Sequence, residues 1–279
     1  MRSTEAYRQK LYEVACALSG NASLPVRTEE ICTAFGIKVR RSPLGRGRAV
    51  LLGTESRPEI VLALREVPTE TYTTFERFLI AHELGHLILI RTGVDGPVGT
   101  AEYWKLEDLC DCLSRWLLMP ERIVRAMLQD RPSTGTELLE ISSRLALVAQ
   151  VSWPTAAYRI SDADPSLTFL RVGRVSDGRF KVSVSTLPKK REIGRRLAIL
   201  DPLSEVLGGL RAHAGPAELD PQLLRSFPGL RGIVAAAAVR AGQNEVRLAI
   251  IRDWALATSE IAAEQAMLQG RPPIACPSD

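Results

Sequence analysis

The sequence predicts an α+β fold, in which helices and short strands occupy successive stretches of the chain instead of alternating regularly. Three observations favour this class. The first 130 residues pass from helices through short strand-like runs to a long apolar helix. Residues 131–162 carry helical periodicity interrupted by a turn, and residues 163–279 are rich in strand-like runs. We therefore predict three domains with the boundaries 1–130, 131–162 and 163–279.

Composition supports a globular chain and limits its environment. Of the 279 residues, 46% are hydrophobic and 24% are charged, which is typical of folded proteins. The net charge of +4 permits contact with nucleic acid without requiring it. No apolar signal segment follows Met1, no apolar run reaches transmembrane length, and the five cysteines are odd in number and scattered. We expect a cytoplasmic protein with reduced thiols and no membrane contact.

The first domain begins with two predicted helices and three predicted strands. Residues 4–18 have amphipathic periodicity, and Thr28 with two following glutamates is typical of the start of a second helix. Residues 36–40 alternate as a strand does, and residues 49–52 and 60–63 are rich in aliphatic side chains. One of these three runs is the candidate for an edge strand onto which an extended chain can be added.

The next helix carries an H-E-x-x-H pattern formed by His82, Glu83 and His86. Residues four apart share one face of a helix, so the two imidazoles can hold one zinc ion while the glutamate lies beside it. Zinc catalysis requires neutral nitrogen ligands and an open position for water, and a carboxylate that takes the proton of that water. The alternative is a pair of core histidines satisfied by hydrogen bonds. Phe75 and Leu89 share the histidine stripe, which predicts that this face is buried.

A second helical run supplies the predicted third ligand, Glu107, and a supporting carboxylate, Asp111. The apolar stripe of this run consists of Leu106, Leu109, Leu113 and Trp116. Two histidines and one glutamate are a standard ligand set for catalytic zinc, and a carboxylate often accepts a hydrogen bond from the far nitrogen of a ligating histidine. Two alternatives remain: a solvated helix face, or the soft donors Cys110 and Cys112 as ligands. His213 is remote in sequence.

These motifs carry a resemblance to a known family. Ala81-His82-Glu83-Leu84-Gly85-His86, followed by Glu107 and by Leu117-Leu118-Met119-Pro120, resembles the ImmA/IrrE family of zinc metallopeptidases. The family pairs A-H-E-x-x-H with a later stretch that begins with glutamate and ends in L-L-M-P. Four positions depart from its pattern without removing a ligand: Cys110, Asp111, Leu113 and Ser114. The resemblance covers roughly the first 160 residues.

The resemblance implies a mechanism and a partner. It makes His82, His86 and Glu107 the ligands of one zinc ion per chain and Glu83 the general base. The implied activity is site-specific cleavage of an XRE-type helix-turn-helix repressor, which switches on stress-response, DNA-damage-response or mobile-element genes. Tyr103 is a candidate for stabilising the oxyanion, although we favour a packing role.

Two rival classes can be stated. One is a non-enzymatic DNA-binding transcriptional regulator with a structural zinc site, and the other is a ligand sensor with a degenerate protease part. An intact Glu83 argues against both, because a structural zinc site has no need of a base.

The second domain is predicted to resemble a helix-turn-helix. A helix over residues 138–148, a turn near residues 151–154 and a helix over residues 155–160 form this pattern. The second of these helices offers one arginine, Arg159, and few side chains that read bases. We therefore favour a packing or substrate-docking role and expect DNA binding to be weak or absent.

The third domain is predicted to contain at least four strands. The runs span residues 167–172, 180–184, 233–236 and 246–251, and turn residues at 240–244 favour a hairpin between the last two. Longer members of the resembled family add a GAF-like domain. That resemblance, together with the strand count, predicts a GAF-like sensor with a small-molecule ligand. A basic run at residues 189–196 is interpreted as a solvated face.

Overall fold

The computed structural model describes residues 4–44, 49–54, 56–64, 71–93, 101–174, 180–186, 207, 209–210, 215–224, 232–241 and 245–257. The chain divides into two compact units. One comprises Met1–Ala126 with Leu145–Ala156, and the other comprises Met127–Arg144 with Ala157–Asp279. Both helices and strands are present, as the predicted α+β class requires. The boundaries predicted after residues 130 and 162 stay a prediction.

The helices of the described chain, in order, are α1 (Thr4–Ser19), α2 (Thr28–Ala34), α3 (Thr74–Arg91), α4 (Ala101–Leu118), α5 (Glu121–Met127), α6 (Gly135–Ala149) and α7 (Trp153–Ala163). The helices predicted at residues 4–18, 138–148 and 155–160 are confirmed as α1, α6 and α7. The short helix α5 was not predicted. None of these helices is long and apolar enough to cross a membrane.

The first unit contains a three-stranded sheet with the order β1-β3-β2. Its strands are β1 (Lys38–Ser42), β2 (Ala49–Thr54) and β3 (Arg57–Ala63). The central strand β3 pairs in parallel with β1 and antiparallel with β2. Residues 60–62 of β3 are at most 1% exposed, which is typical of a strand covered on both faces. All three predicted strands are confirmed, and β1 and β2 are the two edges.

Helix α3 starts with a capping box that fixes its first turn. The Thr73 hydroxyl accepts a hydrogen bond from the Glu76 backbone N–H at 3.2 Å, and the Glu76 carboxylate accepts one from the Thr73 N–H at 2.8 Å. Arg41 of β1 donates to the same carboxylate at 3.0 Å, which ties the helix start to the sheet. The helix is followed by Gly93 with φ of +70°, a conformation that favours glycine.

The burial predicted for α3 is partly wrong. Phe75, placed on the buried stripe, is 42% exposed, whereas Leu89 is buried as predicted. The deeply buried side carries Ile80 and Leu84, which lie on the opposite side of α3 from the histidines. The histidine face is only partly covered, since the His82 and His86 side chains keep 14% and 23% of their surface exposed.

Helix α4 packs closely against α3. Leu109, Leu113 and Trp116 are at most 7% exposed, so most of the predicted stripe is confirmed. A Cβ atom placed on Gly85 would lie 3.1 Å from the Cα, Cβ and Sγ atoms of Cys110. Only a residue without a side chain fits at this crossing without displacing its neighbour.

The second unit contains a five-stranded antiparallel sheet with the order β5-β4-β8-β7-β6. Its strands are β4 (Leu167–Arg174), β5 (Phe180–Ser185), β6 (Ala217–Leu219), β7 (Ile233–Arg240) and β8 (Glu245–Arg252). The four predicted strands are confirmed, as is the antiparallel pairing of β7 with β8. The three-residue strand β6 was not predicted, since so short a run carries no periodicity.

One face of this sheet builds an apolar core. The core consists of Leu170, Val172, Val182, Leu207, Leu219, Leu224, Ala236, Ala238, Val246, Leu248 and Ile250. Helical residues of the same unit also contact the sheet. The Gly135 backbone lies so close to β7 that a Cβ there would be 2.2 Å from the Ala237 nitrogen. Tyr158 donates to the Ser185 carbonyl at 2.9 Å. The basic run at residues 189–196 and the C-terminal tail lie outside the described residues.

Candidate metal centre

His82, His86 and Glu107 converge on one point between α3 and α4. The Nε2 atom of His82 lies 3.1 Å from a Glu107 carboxylate oxygen, and the Nε2 atom of His86 lies 3.2 Å from the other oxygen. The two Nε2 atoms are 3.1 Å apart. The three ligand atoms all lie within 4.8 Å of one another. The structure thus brings together the three residues that the sequence analysis proposed as metal ligands.

The donor set fits zinc. Two imidazole nitrogens and one carboxylate oxygen form a standard set for catalytic zinc, which keeps a fourth position for water. Helical spacing aligns the two histidines, and the close crossing at Gly85 brings Glu107 to them. Among the described residues, no other trio of histidine, cysteine, aspartate or glutamate meets the same distance condition.

Asp111 orients the His82 ring. Its carboxylate lies 2.9 Å from Nδ1 of His82. When Nδ1 donates this hydrogen bond, the lone pair of the neutral ring is on Nε2, which faces His86 and Glu107. Burial lowers the pKa of His82, but the hydrogen bond that its ring donates to Asp111 and the charges of nearby carboxylates outweigh burial and leave the pKa raised. Asp111 is therefore placed as predicted.

The pKa of His86, in contrast to that of His82, is lowered. Burial and the neighbouring His82 lower its pKa, and Glu107 and Asp111 offset only part of that effect. A histidine with a lowered pKa is neutral at physiological pH, which is the form that binds metal. The metal-free pair therefore combines one histidine that holds a proton strongly with one that releases it easily.

Glu83 is buried beside the ligand cluster, with 8% of its surface exposed. Burial raises the pKa of the Glu83 carboxyl, and the nearby charge of Glu107 raises it further. His82 and a hydrogen bond from the Leu51 backbone N–H lower this pKa, but by less, so it is raised overall. A carboxylate with a raised pKa is suited to take a proton from water and to return it later.

The contact with Leu51 identifies the strand beside the site. Leu51 belongs to β2, an edge strand of the three-stranded sheet. An edge strand was expected here, but the sequence did not indicate which of the three runs forms it. Nor did it indicate Leu51 as a partner of Glu83. No residue type could have indicated this contact, because every residue except proline carries the same backbone N–H.

The alternative ligands are not in position. The Cys110 side chain is fully buried, and its Sγ atom lies next to Gly85. Burial raises the pKa of the Cys110 thiol and disfavours the thiolate that binds metal. The Sγ atom of Cys112 accepts a hydrogen bond from Arg115 at 3.1 Å. His213 and the side chain of Tyr103 lie outside the described part of the chain.

A buried glutamate beside a cluster of two histidines and one glutamate, on an H-E-x-x-H helix, is the centre of a metallopeptidase-type domain. Residues 32–161 match the peptidase M78 family, described as the IrrE N-terminal-like domain, and they include every residue of the centre. The matched domain spans just under half of the chain, and it is this part that is similar to IrrE-type metalloproteases. The resemblance drawn from the sequence motifs is confirmed.

Two relatives extend the comparison. The radiation response metalloprotease IrrE of Deinococcus radiodurans is 28% identical over 160 residues, which cover 52% of this chain and 43% of that protein. The match thus spans less than half the length of this relative. A solved structure, the Mycobacterium tuberculosis transcriptional regulator, has 15% identity and a TM-score of 0.52. The superposition covers 90% of this chain and 77% of the Mycobacterium chain, and at this identity it indicates a shared fold alone.

Proposed function

We propose that this chain is a zinc-dependent, site-specific endopeptidase that cleaves an XRE-type helix-turn-helix repressor in the cytoplasm. The cut would derepress stress-response, DNA-damage-response or mobile-element genes. The observation that carries the proposal is the buried Glu83 beside the convergent ligand atoms of His82, His86 and Glu107. A purely structural metal site has a closed ligand shell and uses no base.

The residues of the centre have distinct tasks. His82, His86 and Glu107 would hold a zinc ion, which would supply Lewis acidity toward water and the substrate carbonyl. Glu83 accepts the proton of the attacking water and delivers it to the nitrogen of the departing amine. The Leu51 N–H holds the Glu83 carboxylate toward the centre. Asp111 keeps His82 in the tautomer that directs Nε2 toward the ligand point.

Strand β2 offers a binding surface for an extended peptide. As an edge strand it presents one row of backbone N–H and C=O groups that none of the other described strands pairs with. The Leu51 N–H is used by Glu83, so a peptide added along the rest of β2 would pass beside Glu83 and the metal centre. This arrangement supports a polypeptide substrate over a small molecule.

The helix-turn-helix-like segment and the C-terminal sheet are proposed to have structural and regulatory roles. The packing of Gly135 on β7 and of Tyr158 on β5 supports a structural role for the helix-turn-helix-like segment. The antiparallel five-stranded sheet supports a GAF-like sensor that binds a small molecule. The radiation-response name of the Deinococcus relative supports a link to DNA damage, although that name describes the relative.

The rival proposal is a non-enzymatic DNA-binding regulator with a structural zinc site. Incubation of the zinc-loaded chain with the XRE-type repressors of its own organism separates the two. An endopeptidase produces two discrete fragments from one repressor, and removal of zinc by a chelator abolishes them. If all the repressors stay full length while the chain holds zinc, the endopeptidase proposal is wrong.

A further inference from the structure

We infer that Ile90 and Trp104 form an apolar subsite beside the metal centre, which accepts a bulky apolar side chain of the substrate next to the scissile bond. The inference rests on the proposed peptidase function and deepens it, because it names what the site selects. It is carried by the exposure of the two side chains and by their position relative to the ligands.

On α3, Ile90 follows His86 by four residues, so it lies one turn further along the histidine face. Its side chain is 48% exposed, whereas the three preceding residues, Leu87, Ile88 and Leu89, are at most 4% exposed. Ile90 is therefore the exposed apolar residue of the last turn of α3, on the side of the helix that carries the ligands.

On α4, Trp104 precedes Glu107 by three residues, which again corresponds to one turn on the ligand face. It is 50% exposed. A tryptophan exposes a large apolar surface in this position, and covering that surface would release free energy in proportion to its area.

The register of the two helices brings these residues to the same end of the centre. His82 meets Asp111, Gly85 lies against Cys110, and His86 meets Glu107, so the helices run antiparallel. One turn beyond the last of these pairs, the same register sets Ile90 of α3 level with Trp104 of α4. Both apolar side chains thus lie at one end of the ligand point, about one helical turn away, roughly 5 Å along the axis.

The occupant follows from this placement. A peptide whose carbonyl lies at the ligand point carries its nearest side chains within about one helical turn of it, roughly 5 Å, and one that points to this end of the centre meets Ile90 and Trp104. Neither Ile90 nor Trp104 carries a charge, and burying a charged side chain between them would cost free energy. The subsite therefore selects an apolar side chain and disfavours acidic or basic ones.

The test uses two small ligands with the same zinc-binding group. Acetohydroxamate and 4-methylpentanohydroxamate differ only in their apolar tails, so the ratio of their affinities reports the subsite and needs no turnover. Calorimetry on the full zinc-loaded chain should show about tenfold or more tighter binding of the longer ligand, since its four additional carbons can be buried. The Ile90→Ala/Trp104→Ala double variant should reduce that ratio to about threefold or less.

Leu147→Ala is the matched control, because Leu147 is 77% exposed on α6 and should leave the ratio unchanged. If the wild-type chain binds both hydroxamates equally, or if the double variant keeps the full preference, the subsite is wrong while the peptidase proposal stands. If the wild-type chain takes up no zinc, both fail. Zinc content is measured for every variant, and if the double variant holds none, the two single variants decide by the same ratio.

Discussion

Gly85 of α3 lies directly against Cys110 of α4, and a Cβ atom on the glycine would approach the cysteine to 3.1 Å. This contact sets the separation of the two helices at the point where the metal ligands meet. Glu107 stands one turn before Cys110, and His82 and His86 stand on either side of Gly85. Because Gly85 has no side chain, the two helices come close enough for the three ligands to meet at one centre.

Enlarging Gly85 should push the helices apart. We expect Gly85→Val to lower the free energy of unfolding by about 1–3 kcal/mol through overpacking, and to weaken zinc binding because Glu107 recedes from the histidines. Urea unfolding and a zinc titration measure the two effects. The control is Ala126→Val on α5, where the side chain is exposed and the change should stay within about 0.5 kcal/mol. Unchanged zinc affinity in Gly85→Val would contradict this account of the crossing.

Substituting the proposed ligands should show whether these residues, and not the cysteines, bind the metal. Purified protein should hold one zinc ion per chain, and His82→Ala or Glu107→Ala should weaken binding strongly. Competition with a chromophoric chelator measures the affinity. Glu140→Ala is the control, since Glu140 is an exposed carboxylate on α6. If Glu107→Ala binds zinc as tightly as the wild type does, the third ligand is not Glu107, and Cys110 or Cys112 becomes the candidate.

Zinc affinity should depend on pH through His82. Its pKa is raised in the metal-free protein, so the ring keeps its proton to a higher pH than an ordinary histidine. Binding requires the neutral ring, and affinity should therefore fall as the pH drops through this raised pKa. Asp111→Ala removes the hydrogen bond and the charge that raise it, so the fall should occur at lower pH. It should also weaken binding at neutral pH by about 10–100-fold.

The apparent zinc dissociation constant, measured from pH 5 to pH 8 for both proteins, tests this prediction. Asp111→Asn keeps an acceptor oxygen for His82 and should lie between the two. A variant whose pH profile coincides with that of the wild type would show that Asp111 does not control the protonation of His82.

DNA binding should be weak, salt-sensitive and independent of sequence. Gly135 and Tyr158 pack the helix-turn-helix-like segment against the five-stranded sheet. In addition, α7 offers few side chains that read bases. Gel-shift titrations at two salt concentrations test this expectation. A footprint at one defined operator at physiological salt would contradict it and favour the rival class of DNA-binding regulator.

The sequence was informative where residue types carry the chemistry. His82, His86, Glu107 and Asp111 were candidates from the sequence because two histidines and a glutamate at helical spacing are a standard zinc ligand set, with a second carboxylate to support a ligating histidine. Leu51 was not predictable, since its contribution is a backbone N–H that no residue type distinguishes.

Burial was harder to predict than the elements themselves. Helical periodicity placed Phe75 with the histidines, but it could not show how much of that side of α3 the rest of the chain covers. Likewise, Gly85 has no side chain whose pattern could be recognised. Its importance becomes evident only when the partner helix is known.

The central claim is that the chain acts by proteolysis, and Glu83→Gln tests it most directly. The substitution keeps the size and polarity of the side chain and removes its basicity, so zinc binding and repressor docking should survive. Cleavage should fall by about 10²–10⁴-fold, the usual contribution of general acid–base catalysis. Repressor integrity on a gel, measured beside a reporter of the repressed genes in cells, gives the answer. The account predicts an intact repressor and a silent reporter, whereas an induced reporter with a full-length repressor would contradict it.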